Sequence, residues 1–64
     1  MKDLTRVTFD SKIMGGKPCI RGMRVTVGMI VGLIASEHSF EEILAAYPYL
    51  EVEDLRESLR YVAL

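Results

Sequence analysis

Sixty-four residues, half of them hydrophobic and 27% charged, make one small globular domain, leaving no room for a second module and too much apolar content for a disordered chain. The single cysteine, Cys19, closes no internal disulfide and with the single histidine makes no closed zinc site, so a core of this size is expected to gain stability as a homodimer. Formal net charge is only −1, but residues 1–25 carry six basic against two acidic side chains and residues 26–64 carry two against seven, so charge is polarised along the chain.

The first ten residues, MKDLTRVTFD, hold no apolar stretch of the kind a secretory signal needs. The longest near-apolar run, Val25 to Ala35, is far short of the ~20 residues of a membrane span. An unpaired cysteine also suits a reducing compartment. The expected location is the cytoplasm, without membrane contact.

In chain order, Thr5 to Phe9 alternates, with Val7 and Phe9 on one side and Arg6 and Thr8 on the other, the period-2 pattern of a short half-buried strand. Met14 to Gly22 packs three glycines and a proline into nine residues, which excludes a helix or a long strand and predicts an ordered loop or irregular hairpin. Thr26 suits the N-cap of a first helix over Val27 to Ser36. Almost no charged side interrupts that stretch, so it is expected to be buried nearly all round. Gly28 and Gly32, four apart, point to a closely approaching backbone, either in the same subunit or across a dimer contact.

Ser39-Phe40-Glu41-Glu42 has the form of a capping box and begins a second helix, with Phe40, Ile43, Leu44 and Tyr47 as its apolar stripe and Pro48 as its stop. Val52, Leu55, Leu59 and Val62 set the packing stripe of a third helix. Glu51, Glu53 and Asp54 crowd its first turn and Arg60 lies near its end, each where the helix dipole favours its sign. Glu53, Arg56, Glu57 and Arg60 are expected on its exposed face. The predicted fold class is mainly α: a three-helix helix-turn-helix over residues 26–64, preceded by a short strand and a Gly-rich basic arm over residues 1–25, in a single domain.

Catalysis has few candidates. His38 falls in a polar turn with no carboxylate-and-hydroxyl constellation around it, and Cys19 reads as a small apolar residue tucked under the loop rather than a reactive thiolate. Gly15-Gly16-Lys17 fails the phosphate-loop pattern because Pro18 follows the lysine. No enzyme activity, metal, cofactor or small-molecule substrate is expected.

Lys12, Lys17, Arg21 and Arg24 fall within thirteen positions of a Gly-rich extended stretch, where they are candidates for following a phosphate backbone. The competing explanation is scattered surface charge, or neutralisation of the acidic helices in the same or a partner subunit. On the third helix only Arg56 and Arg60 suit DNA contact, because the acids of its first turn repel phosphate. The alternative is a protein-interaction module whose acidic helical face, Glu53 and Glu57, docks on a basic partner without touching DNA.

The segment V-T-F-D-S-K-I-M-G-G-K-P-C-I-R-G-M-R-V carries the signature G-G-K-P-x-I-x-G-x-R-[IV] at Gly15 to Val25. Together with S-F-E-E-I-L-A-A-Y-P-Y-L-E-V-E-D-L-R-E-S-L-R-Y-V-A it resembles, over nearly the whole chain, the bacterial and archaeal family catalogued as domain of unknown function 433. Met23 stands where threonine is usual and Ser11 where proline is usual; both departures are local and leave the signature readable. The resemblance implies a homeodomain-like helix-turn-helix with a strand-bearing N-terminal arm. It further implies an antitoxin of the VapB type, which represses its own operon as a dimer and binds and silences a PIN-like ribonuclease toxin encoded beside it. Taken with the residue reading, Lys12, Lys17, Arg21, Arg24, Arg56 and Arg60 are expected to touch operator DNA, and Glu53 and Glu57 a protein partner.

Overall fold

A computed structural model describes residues 5–63; Lys2 and Asp3 of the basic segment lie outside the described residues. Among those described, the chain runs through β1 (Val7–Thr8), a 3-10 turn (Met14–Gly16), β2 (Cys19–Ile20), α1 (Val27–Ala35), α2 (Phe40–Ala46) and α3 (Val52–Val62). The architecture is mainly α, with a short antiparallel hairpin near the N-terminus, as the sequence predicts. None of the described helices is long and apolar enough to cross a membrane.

The hairpin is short because its chain reverses so often. β1 pairs with β2 only as Val7↔Ile20 and Thr8↔Cys19. The strand expected over Thr5 to Phe9 therefore stops early: at Asp10 the chain turns, with its carbonyl accepting the Ile13 N–H at 2.9 Å, and Phe9 is left 62% exposed. Met14, Gly15 and Gly16 follow at φ +50°, +67° and +84°, a left-handed run that two of the three residues adopt without a Cβ clash. A second reversal, Arg21-Gly22 at φ +47° and +72°, is closed by the Met23 N–H donating to the Ile20 carbonyl at 2.8 Å. It brings Val25 back beside β2, where its carbonyl accepts the Ile20 N–H at 2.9 Å.

Local rules set the helix ends. The Thr26 hydroxyl accepts the Met29 N–H at 3.0 Å and starts α1. In the capping box of α2 the Ser39 hydroxyl accepts the Glu42 N–H at 3.1 Å while the Glu42 carboxylate accepts the Ser39 N–H at 2.8 Å. Tyr47, held before Pro48 at φ −127°, ends α2. The α3 entry is tied by the Glu51 N–H donating to Asp54 at 2.8 Å.

The core is Ile20, Val25, Val27, Ile30, Ile43, Leu50 and Leu55, drawn from the hairpin, all three helices and the α2–α3 turn. α3 packs chiefly on α1, and also against α2 and β1. Two expectations about burial fail here. In α1 only Val27 and Ile30 are buried, whereas Gly28, Gly32 and Ala35 are exposed, because the fold offers a covering layer on one side of this helix only. Nor does an intrachain backbone approach its glycines: a Cβ on Gly32 would meet nothing within 4 Å, and on Gly28 only the Thr26 hydroxyl at 3.9 Å.

The second failure concerns α3. Leu55 is fully buried, but Val62 at the end of the expected stripe is 52% exposed, and Val52 and Leu59 are half-buried. The buried face is Asp54, Leu55, Glu57 and Ser58, rotated toward the hairpin. Glu57, expected on the exposed face, is only 5% exposed.

Candidate nucleic-acid interface

The opposite charges of the two chain segments meet inside the molecule. Asp54, whose side chain is fully buried, receives Arg6 at 2.9 Å on one carboxylate oxygen and Arg21 at 2.8 Å on the other. Arg6 also pairs with Glu51 at 2.7 Å. Burial opposes ionisation of Asp54, but hydrogen bonds from Arg21, from the Glu51 N–H and from Arg6 outweigh it and hold the carboxyl below its ordinary value. The Arg6 guanidinium is pushed further up by its own side-chain hydrogen bonds, to the Glu51 carboxylate first and to Asp54 second. One turn along α3, the Glu57 carboxylate accepts the backbone N–H groups of both Arg6 and Val7. No buried side-chain nitrogen or oxygen among the described residues lacks a partner.

This cluster engages two of the expected site residues within the molecule, Arg21 and Glu57. Arg21 is not free for phosphate: besides Asp54 it donates to the Tyr49 carbonyl at 2.8 Å, so it cross-links the hairpin to the α2–α3 turn. Glu57 is not available to a partner either, because its carboxylate faces β1 rather than solvent. Asp54 carries the cluster and is absent from the expected site. No local signal marks it: Asp54 and Ser58 lie at i and i+4 beside Leu55, but Glu53 and Glu57 share that spacing and Glu53 pairs with Arg56 on the outer side. The Ser58 hydroxyl is buried too, donating to the Asp54 carbonyl at 2.8 Å.

Among the described residues, the other basic side chains of the arm have no such partners. Lys12, Lys17 and Arg24 are exposed and form no ion pair among the described residues. Their loop is nonetheless ordered by its own bonds, including the Lys12 N–H to the Asp10 carboxylate at 2.9 Å. Lys17 borders a groove of about 360 Å³ with Pro18, Thr26 and Gly28, at the N-terminus of α1. There the Val27 N–H is taken up by the Pro18 carbonyl at 3.0 Å and the Met29 N–H by Thr26, whereas the Gly28 N–H has no acceptor among the described residues.

On the outer side of α3, Glu53 lies between the two arginines, 2.7 Å from Arg56 and 3.6 Å from Arg60. The Arg56 hydrogen bond holds the Glu53 carboxyl below its ordinary value. Arg56 and Arg60 are exposed, but they share one carboxylate and so present a single excess positive charge. Glu53, the other acid of the expected docking face, shares its carboxylate with both arginines and stays partly exposed.

Neither catalytic candidate gains a constellation. Cys19 is 2% exposed with its thiol donating to the Lys17 carbonyl at 3.2 Å, and His38 lies exposed in the α1–α2 turn. Among the described residues no three His, Cys, Asp or Glu side chains come together as metal ligands.

Residues 7–62 match the sequence model of a family described as "Protein of unknown function (DUF433)". A curated relative, "Uncharacterized protein y4eO" of Sinorhizobium fredii (strain NBRC 101917 / NGR234), is 42% identical over 50 residues, covering 78% of this chain. The chain spans 23% of that relative's length. No solved structure matches.

Proposed function

Starting from a chain that belongs to the DUF433 family, we propose that it is a small DNA-binding protein of the antitoxin kind. In this reading it represses its own operon as a homodimer in the cytoplasm and silences a PIN-like ribonuclease. The observation that carries the DNA-binding half is selective use of charge. Arg6 and Arg21 are engaged by α3, whereas Lys12, Lys17 and Arg24 stand exposed and unpaired among the described residues on an ordered Gly-rich segment. Cations held on an ordered loop beside the N-terminus of α1 suit phosphate oxygens. Arg56 and Arg60 add a weaker contribution from α3, whose N-terminal half is too rich in carboxylates to read base edges.

The toxin-binding half comes from the family resemblance alone. Self-association is supported by the outer side of α1, a helix without a single polar side chain of which two residues are buried. Two copies related by a dyad would cover that side and present two basic arms to one duplex.

Fluorescence anisotropy with the duplex upstream of the coding region tests the reading. Three phosphate contacts per chain predict that log K falls with log salt at a slope of about −3 per chain. Binding that ignores salt, or no binding to any upstream fragment at low salt, overturns it.

A further inference from the structure

Glu57 is a buried carboxylate whose partners among the described residues are not cations. Its Oε2 accepts the N–H of Arg6 and, at 3.0 Å, that of Val7, and no ammonium or guanidinium among those residues pairs with it. A carboxylate placed at 5% exposure solely to hold two successive backbone N–H groups fixes the position of that backbone. This backbone is the start of β1, a strand of two residues whose pairing with β2 is too short to hold it independently; the Arg6 side chain ties its entry to Glu51 and Asp54, and among the described residues Glu57 is what holds the Val7 N–H.

The loop leaving β1 carries Lys12. Lys17, at the other end of that loop, is tied to α1 by separate bonds: the Pro18 carbonyl accepts the Val27 N–H, and Cys19 bridges to Thr26. The two lysines are thus anchored to different helices, Lys17 to α1 and Lys12, through β1, to α3. We propose that Glu57 is a positioning residue for the phosphate-binding surface: by holding β1 on α3 it sets Lys12 relative to Lys17, so that one polyanion meets both without ordering the loop. The inference rests on the DNA-binding reading and adds to it a residue that touches no nucleic acid.

The test couples two measurements on the whole chain. Amide hydrogen exchange in Glu57→Met and Glu57→Ala reads whether β1 is released: Val7 loses protection while Ile30 in the core keeps it. Glu57→Met keeps the side-chain length but has no acceptor oxygen, so it serves if Glu57→Ala fails to fold. Salt titrations with duplex DNA then compare Lys12→Ala and Lys17→Ala in both backgrounds. In the wild-type background each lowers the slope by about 1. In Glu57→Met, Lys17→Ala does so still, whereas Lys12→Ala changes nothing, because Lys12 has already lost its place.

A merely structural role for Glu57 would weaken binding without erasing the effect of one lysine selectively. Equal effects of Lys12→Ala in both backgrounds, or unchanged Val7 protection in both variants, overturn the inference and leave the DNA-binding reading intact. Absence of binding by the wild-type chain overturns that reading, and with it this one.

Discussion

Arg21 and Asp54, 33 residues apart, meet through a two-pronged contact, Nη2 to Oδ2 at 2.8 Å and Nε to Oδ1 at 3.1 Å. Fork-to-fork geometry of this kind fixes direction as well as distance, and here it locks the turn after β2 onto the first turn of α3. Removing the carboxylate leaves two guanidiniums without their shared acceptor. Asp54→Asn is expected to cost about 2–3 kcal/mol, below the ~3–5 of a fully buried pair because both arginines stay partly in solvent. In urea the midpoint should fall with an unchanged slope; an unaltered midpoint would show the cluster to be energetically idle.

Acid should act through the same residue. Asp54 has a native value below the ordinary 3.8, so the unfolded chain takes up its proton first as pH falls. Its contribution is therefore complete above that ordinary value and is lost as pH drops through the lower native one. Stability measured between about pH 5 and pH 2 should decline more steeply in the wild type than in Asp54→Asn. Parallel curves would contradict the assignment.

Gly32 offers a cleaner measurement, because a Cβ there would meet nothing within 4 Å. Gly32→Ala should stabilise the isolated chain by about 0.5–1 kcal/mol through helix propensity, read as a rise of a few degrees in the thermal midpoint at low concentration. If the proposed homodimer forms through α1, Gly32→Glu should keep the fold and, by placing a charge on the uncovered side of that helix, yield a monomer in sedimentation velocity where the wild type is a dimer. A lower midpoint for Gly32→Ala at low concentration would mean that the α1 surface is packed after all.

DNA binding should discriminate among the arginines of the arm. Arg24→Ala is expected to lower the salt slope by about 1, whereas Arg21→Ala, whose guanidinium is already bonded to Asp54 and Tyr49, should leave the slope unchanged while reducing stability. Equal slope losses for both would mean that Arg21 abandons its internal partners on binding.

Much of the helical part is legible in the sequence because its causes are local. Ser39 and Glu42 cap α2 across three residues, Thr26 caps α1, and Pro48 ends α2 one residue after Tyr47. The apolar spacing of α2 likewise identifies Ile43 as core. The candidate site is less legible. Arg21 and Arg24 stand three apart in similar company, yet the first is bonded to a buried carboxylate and the second is exposed. Glu53 and Glu57 lie one helical turn apart, yet one faces Arg56 and Arg60 and the other the backbone of β1.

Composition and local chemistry alone were enough to establish a mainly α fold, three helices with their ends, a glycine-dependent reversal before them and a basic segment facing an acidic one. Those features depend on dihedral preferences and on hydrogen bonds between residues three or four apart, which any window of the chain contains. Which charges cancel within the molecule and which reach solvent was decided only by folding. Helix α3 has to lie between α1 and β1 before Asp54 and Glu57 can turn inward, and the pairing of groups 33 to 51 residues apart has no trace in any short stretch. For the same reason α1, uniformly apolar in sequence, has one side against the core and the other uncovered.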